Sequence, residues 1–222
     1  MIVRKSKIRY KRVVIFLIIL LVFVLIFLKI FSLNISNIYI SGNSYLSDQD
    51  IIEMAKLENY PSAIMTFSNV IKNNIISNSY VESVSVKKKN ITEVYITVVE
   101  NRPLFYDDIN HRTVLKNGEY TSDLFNIPIL TSNISGSIYD DFLKKFALIN
   151  LDVFNVISEV SYDPNDVDKE LFLFTMNDGN YIYVNLDKFE NVNRYFEMVV
   201  KFDNHKGILY LDSGEYFKIL DN

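Results

Sequence analysis

The chain has 222 residues, 49% of them hydrophobic, with no cysteine and a formal net charge of −4; it can bury one or two cores but cannot hold disulfides, thiolate metal sites or a cysteine nucleophile. The first twelve residues, MIVRKSKIRYKR, hold six Lys or Arg and no acid, whereas beyond Lys29 there are 16 basic and 27 acidic residues, a net of −11. So acidic a body argues against nucleic acid as a partner, because phosphate binding rests on an excess of Lys and Arg.

Val13 to Leu28 is an unbroken run of sixteen apolar residues, and Ile30, Phe31 and Leu33 extend it to residues 13–33 with Lys29 included. As a helix this segment is about 31 Å long, the thickness of a bilayer core. Lys29 sits near its end, where a long stem lies along lipid while the ammonium reaches the headgroups. A cleaved signal peptide is the alternative, but the run exceeds an ordinary signal core and FSLNIS after it offers no small-x-small cleavage pattern. Basic residues beside a span stay on the cytoplasmic side, so residues 1–12 are expected inside and residues 34–222 outside.

After the span, Ile38 and Ile40 alternate with Tyr39 and Ser41 as in a half-buried strand, and Gly42-Asn43 supplies a turn. Ser47 precedes Asp50 by three residues, a short form of the capping box, and predicts a helix with Ile51, Ile52, Met54 and Ala55 inward, closed before Pro61. A second helix is predicted over Thr66–Ser77, with Phe67, Val70, Ile71 and Ile75 on its inner side. VESVSVKKK and EVYITVVE then read as two strands joined by a turn at Asn90–Thr92.

From Leu104 onward short strands alternate with Gly and Asn turns. Arg112–Leu115 and Glu119–Thr121 flank Asn117-Gly118, a hairpin signal; DDFLKKFALIN carries Phe142, Phe146 and Ile149 at helical spacing. ELFLFTM and YIYVNL form a hairpin over Glu170–Leu186 around NDGN. Lys188–Phe202 reads as an amphipathic helix through Phe189, Val192, Phe196 and Val199, and Lys206–Leu220 as a closing strand.

The β-α-α-β-β order, the I-x-I-x-G-N opening (Ile38, Ile40, Gly42, Asn43), the YVESVSV segment and the closing VENRP (Val99–Pro103) resemble the POTRA domain of the bacterial cell-division proteins FtsQ and DivIB. That family ends the domain in V-x-E-R-x-P; Glu100 and Pro103 match and Arg102 is displaced by one place, while Ser79 and Asn90 stand where the family often has proline. The second half resembles the family's continuation through Gly118, the IPIL of Ile127–Leu130, Gly179 with Tyr183, and Gly214 with Tyr216 and Phe217; Tyr210 replaces a terminal Asp. The resemblance implies an α+β chain with a single N-terminal transmembrane helix (13–33) after a basic tail (1–12), a βααββ POTRA domain (34–103) and a mixed β-rich domain with flanking helices (104–222). It further implies a non-enzymatic, single-pass division protein of the septum that binds DivIC/FtsB-like and FtsL-like bitopic proteins, with no cofactor and no small-molecule substrate. A POTRA-containing secretion or envelope-assembly adaptor and a membrane-tethered cell-wall enzyme are the alternatives.

Reactive constellations are sparse. His111 and His205 lie in polar, turn-like stretches. Ser85 and Lys88 have the S-x-x-K spacing, but in a strand they face opposite ways and no K-T-G or S-D-N accompanies them. Asp107-Asp108 and Asp140-Asp141 read as solvated turns, Asp163–Asp168 as a loop lacking the Gly and distal Glu of a calcium loop, and Lys87–Lys89 as a solvated strand face. What remains is surface: Leu209, Tyr210, Leu211, Tyr216 and Phe217 of the last strand are the expected partner-binding residues, because an unpaired strand edge accepts another chain as an added strand.

Overall fold

The computed structural model describes residues 10–202 and 205–220, and the chain divides after Glu100 into two compact units. Most of the basic tail, residues 1–9, lies outside the described residues. Helix α1 (Tyr10–Phe31) has 22 residues and no buried side chain, and is long and apolar enough to cross a membrane.

The first unit continues through β1 (Asn37–Ser41), α2 (Asp48–Met54), α3 (Ser68–Ile76), β2 (Val81–Lys89) and β3 (Glu93–Glu100). This is the βααββ order, with β3 central, parallel to β1 and antiparallel to β2. Alternation puts Val84, Val94, Ile96 and Val98 on one face, where they bury Ile51, Leu57, Ile71 and Ile75 from the helical side. Helix α2 starts at a complete capping box: the Ser47 hydroxyl accepts from the Asp50 N–H at 3.1 Å, and the Asp50 carboxylate accepts from the Ser47 N–H at 2.8 Å.

Three local expectations change here. Helix α2 ends at Met54, well before Pro61, and the chain turns at Lys56 with φ 57°. Helix α3 buries only Ile71 and Ile75; Phe67 precedes it in extended conformation, and both Phe67 and Val70 face outward. In the lysine run, Lys88 is drawn inward in phase with Val84 and Val86, and its ammonium donates to the carbonyls of Ala63 and Thr66, so only Lys87 and Lys89 are exposed, Lys89 lying over the Tyr95 ring.

The second unit is built on β4 (Pro103–Asp107), β5 (Arg112–Leu115), β6 (Tyr120–Thr121), β7 (Ile129–Leu130), β8 (Ile157–Tyr162), β9 (Leu171–Met176), β10 (Tyr181–Asn185), β11 (Gly207–Tyr210) and β12 (Tyr216–Ile219). They form one mixed sheet in the order β12-β11-β10-β9-β8-β7-β4-β5-β6. Helices α4 (Gly136–Phe146) and α5 (Leu151–Phe154) connect β7 to β8, and the connection from β10 to β11 includes α6 (Tyr195–Val199) between two 3₁₀ segments, Leu186–Arg194 and Val200–Phe202. Crossovers of this length are what parallel neighbours require. Phe142 is central to the core, stacked on Phe172 at 5.1 Å between ring centroids and close to Phe105, Phe146 and Phe189.

The connection after β10 corrects the amphipathic-helix expectation. Its buried residues are Leu186, Phe189, Val192, Tyr195 and Met198, a strict three-residue spacing, and Phe196 is exposed. A 3₁₀ helix has three residues per turn, so this spacing keeps one stripe on the core where a 3.6-residue helix would rotate it away. The single closing strand is in fact a hairpin: β11 and β12 pair antiparallel around Leu211–Glu215, where Ser213-Gly214 favours a turn. Asp107 is buried rather than solvated, accepting from the Asn110 side chain at 2.7 Å and backbone at 3.1 Å, with Arg112 at 3.6 Å. Asp140 and Asp141 are exposed on α4 rather than in a turn.

Candidate partner-binding edge

Strand β11 runs parallel to β10 on one side and antiparallel to β12 on the other, so it is internal to the sheet. Strand β12 is outermost, and among the described residues no strand pairs with its far side. The register sets Leu209 opposite Phe217 and Tyr210 opposite Tyr216. Because the Leu220 N–H donates to the Lys206 carbonyl at 2.9 Å, alternation along the ladder turns the backbone of Lys218 toward β11 and that of Phe217 and Ile219 away from it. The outward N–H and C=O groups of Phe217 and Ile219 are those an incoming strand would meet.

The five sequence-derived residues divide between two roles. Leu209 and Leu211 are buried in the core of the unit, and the Leu211 N–H is spent on the Tyr183 carbonyl at 2.7 Å. A charge at Leu211 therefore acts on folding before it acts on binding. Tyr210 and Tyr216 stack on the opposite face at 4.6 Å, and Tyr183 extends the stack from Tyr210 at 5.6 Å. Phe217 is half-buried, its ring stacked on Phe202 at 4.4 Å.

Sequence reasoning missed the second wall. Met198, Lys201 and Phe202, with Arg194 and Glu215, line a shallow groove of about 200 Å³ beside Leu209, Tyr216 and Phe217. Arg194 and Glu215 bridge at 2.8 Å along it. Only the three-residue spacing of the preceding segment could have shown that Met198 shares a side with Tyr195. A polar cluster ties the start of α6 to the start of β11: Tyr195 donates to Asp178 at 2.7 Å, and Asn180 donates to the Tyr195 oxygen at 2.9 Å and accepts from the Gly207 N–H at 2.9 Å. Burial, with Asp178 beside it, drives the Tyr195 phenol well above its ordinary pKa, so it stays a neutral donor. Desolvation, then the Asp163 carboxylate, likewise raises Tyr183.

Other groups are engaged structurally. The Asp168 carboxylate accepts from the Asn185 side chain at 2.7 Å and the Glu170 N–H at 2.9 Å, and Asn165 caps the Val167 and Asp168 backbone, so the Asp163–Asp168 loop is organised by its own side chains. Among the described residues no group of three or more His, Asp or Glu is placed to hold a metal ion. Arg102 of the VENRP segment donates to the carbonyls of Ala147 and Ile149, both at 3.1 Å, after the end of α4.

Residues 33–101 match the model of the FtsQ-type POTRA domain. The DivIB cell-division protein of Listeria monocytogenes is 24% identical over 194 residues, covering 83% of this chain and 72% of the relative. That of Bacillus subtilis is 23% identical over 195 residues, covering 83% and 73%. The solved major extracytoplasmic domain of the trans isomer of DivIB from Geobacillus stearothermophilus is 21% identical, with a TM-score of 0.38 over 46% of this chain and 93% of its own. The chain thus carries a match to the FtsQ-type POTRA domain in its first unit and is similar through most of its length to DivIB cell-division proteins.

Proposed function

We propose that this chain is a non-enzymatic, membrane-anchored scaffold of the division machinery, whose β12 edge receives a strand from a small bitopic partner of the DivIC/FtsB-like kind and through it holds an FtsL-like protein at the septum. In this reading residues 13–33 cross the membrane, the basic tail is cytoplasmic, and both folded units lie outside. The observation that carries the binding mode is the outward backbone of Phe217 and Ile219 beside an apolar groove. Main-chain bonds to the edge supply affinity, and the groove and the Tyr210–Tyr216 stack supply selectivity.

Ile219→Pro tests the mode directly. It removes an N–H that points away from β11 and leaves the bonds to β11 in place, a position where an edge strand tolerates proline. Capture of the bitopic partner by the full chain in detergent should weaken by about tenfold or more while the melting profile holds. Normal capture by Ile219→Pro would refute strand addition at this edge.

A further inference from the structure

We infer that the loop Tyr60–Phe67 is a second membrane contact, seated in the headgroup layer of an anionic phospholipid bilayer beside the point where α1 leaves it. The inference rests on the reading of α1 as membrane-spanning and adds to it a surface of the first unit.

Three bonds fix the depth of the loop. The Ser62 hydroxyl donates to the carbonyl of Phe31, the last residue of α1, at 3.2 Å; the Ala63 N–H donates to the Leu33 carbonyl at 2.7 Å; and the Ile35 N–H donates to the Pro61 carbonyl at 2.9 Å. The headgroup layer is about 5–7 Å thick on each side of the hydrocarbon. A loop bonded to Phe31 and Leu33 therefore lies within or against that layer whenever α1 spans the bilayer.

The loop carries side chains suited to that place and poorly suited to water. Tyr60 is 48% exposed, Met65 61% and Phe67 64%, and none of them packs into the core of the unit. An exposed aromatic and thioether cluster at headgroup depth is the composition of an interfacial contact. The loop is also braced: Thr66 bonds back to the Ser62 carbonyl through its N–H and its hydroxyl, and Lys88 donates to the carbonyls of Ala63 and Thr66. Lys29 stands in the last turn of α1, and Lys87 and Lys89 flank Lys88 on β2 with their side chains exposed on the other face of the sheet; the acids nearest in register and sequence are Glu93, opposite Lys89, and Glu58, two residues before the loop. This basic excess, in a body otherwise strongly acidic, fits anionic lipid.

The chain has no cysteine, so single labels can be placed cleanly. The full chain is reconstituted in phosphatidylcholine–phosphatidylglycerol vesicles with an environment-sensitive dye at Met65→Cys, Val24→Cys or Gln49→Cys. Nitroxide is carried on the lipid headgroup or at mid acyl chain. Val24 lies within α1, and Gln49 is next to the loop that Glu100 holds, about 23 Å along β3 from Glu93. Headgroup nitroxide should quench Met65 about twofold or more beyond Gln49, and replacing phosphatidylglycerol by phosphatidylcholine should reduce the difference. A Met65 label that behaves like Gln49 while mid-chain nitroxide quenches Val24 overturns the second contact and leaves the spanning reading intact. A Val24 label untouched by mid-chain nitroxide overturns the spanning reading, and this inference with it.

Discussion

The carboxylate of Glu100 accepts the N–H of Leu46 at 2.9 Å, and its other oxygen accepts those of Ser44 at 2.8 Å and Tyr45 at 2.9 Å. The end of β3 thus holds the loop that begins α2, across more than fifty residues of chain. Gly42 makes the approach possible: it adopts φ 86°, and a Cβ there would lie 2.1 Å from the Val98 carbonyl oxygen. The two motifs that bracket the first unit, the Gly-Asn turn and the VENRP segment, are two sides of one contact.

Glu100→Ala leaves three N–H groups without their shared acceptor. Hydrogen bonds to a charged group contribute more than neutral ones, so a loss of about 2 kcal/mol is expected, with Glu100→Gln intermediate. Urea unfolding of the full chain in detergent, followed by tyrosine fluorescence, checks this. A variant as stable as the parent would show that the three bonds are not what positions the loop.

The capping box of α2 carries a pH signature. Hydrogen bonds from the Ser47 hydroxyl, then from the Ser47 N–H, hold the Asp50 carboxyl below the ordinary aspartate pKa. The folded pKa is the depressed one, so the stabilisation is present above the unfolded value and lost as pH falls through the folded value. Ser47→Ala should cost about 1 kcal/mol at neutral pH. It should also flatten the acid limb of the stability curve below about pH 4. The same loss at every pH would mean that Asp50 is not coupled to the cap.

In the second unit Tyr195→Phe keeps the ring and removes the hydroxyl between Asp178 and Asn180. A buried polar cluster that loses one member leaves the others unsatisfied, and a cost of about 1–3 kcal/mol is expected. The folded pKa of Tyr195 is raised, so its stabilisation is complete below the ordinary phenol value of about 10 and declines as pH rises beyond it. Parent and variant should therefore converge in stability at alkaline pH. Melting temperatures across neutral to alkaline buffers decide it, and a constant difference counts against the cluster.

The legible parts of this fold were those in which one local rule acts alone. Alternation in EVYITVVE and ELFLFTM, the φ-positive glycines at Gly118 and Gly179, and the Ser47 cap all read directly from neighbouring residues. The errors lie where a distant partner decides. Lys88 is drawn inward by carbonyls from a loop more than twenty residues away. Asp107 is a different case: its partners Asn110 and Arg112 are near in sequence, and only the folded turn shows that they satisfy a buried carboxylate. Phe189, Val192, Phe196 and Val199 fit a 3.6-residue period on paper, but the core selects Phe189, Val192, Tyr195 and Met198. The closing segment Lys206–Leu220 reads as one strand because the turn at Ser213-Gly214 is short, but it folds as two: Leu209 and Tyr210 belong to the internal β11, and β12 is the outermost strand.

That distinction makes Gly207 the most informative substitution for the edge. A Cβ at Gly207 would sit 2.3 Å from the Lys218 carbonyl oxygen and 2.6 Å from two atoms of the Phe217 ring, so Ala cannot enter unless β12 moves. On its other side β11 is held by the Gly207 N–H on Asn180 and the Leu211 N–H on the Tyr183 carbonyl. The displacement should therefore fall on the outer strand, not on β10. Gly207→Ala is expected to cost about 1–3 kcal/mol, the range for overpacking a tight contact, and to raise hydrogen exchange in β12 while β9 and β10 stay protected. If β12 is the receiving edge, partner capture should fall further than this stability loss explains, because the displaced strand no longer presents Phe217 and Ile219 in register. Exchange that rises equally across β9 to β12 would instead show the hairpin and the core unfolding as one unit, and would remove the basis for treating β12 as a separable docking strand.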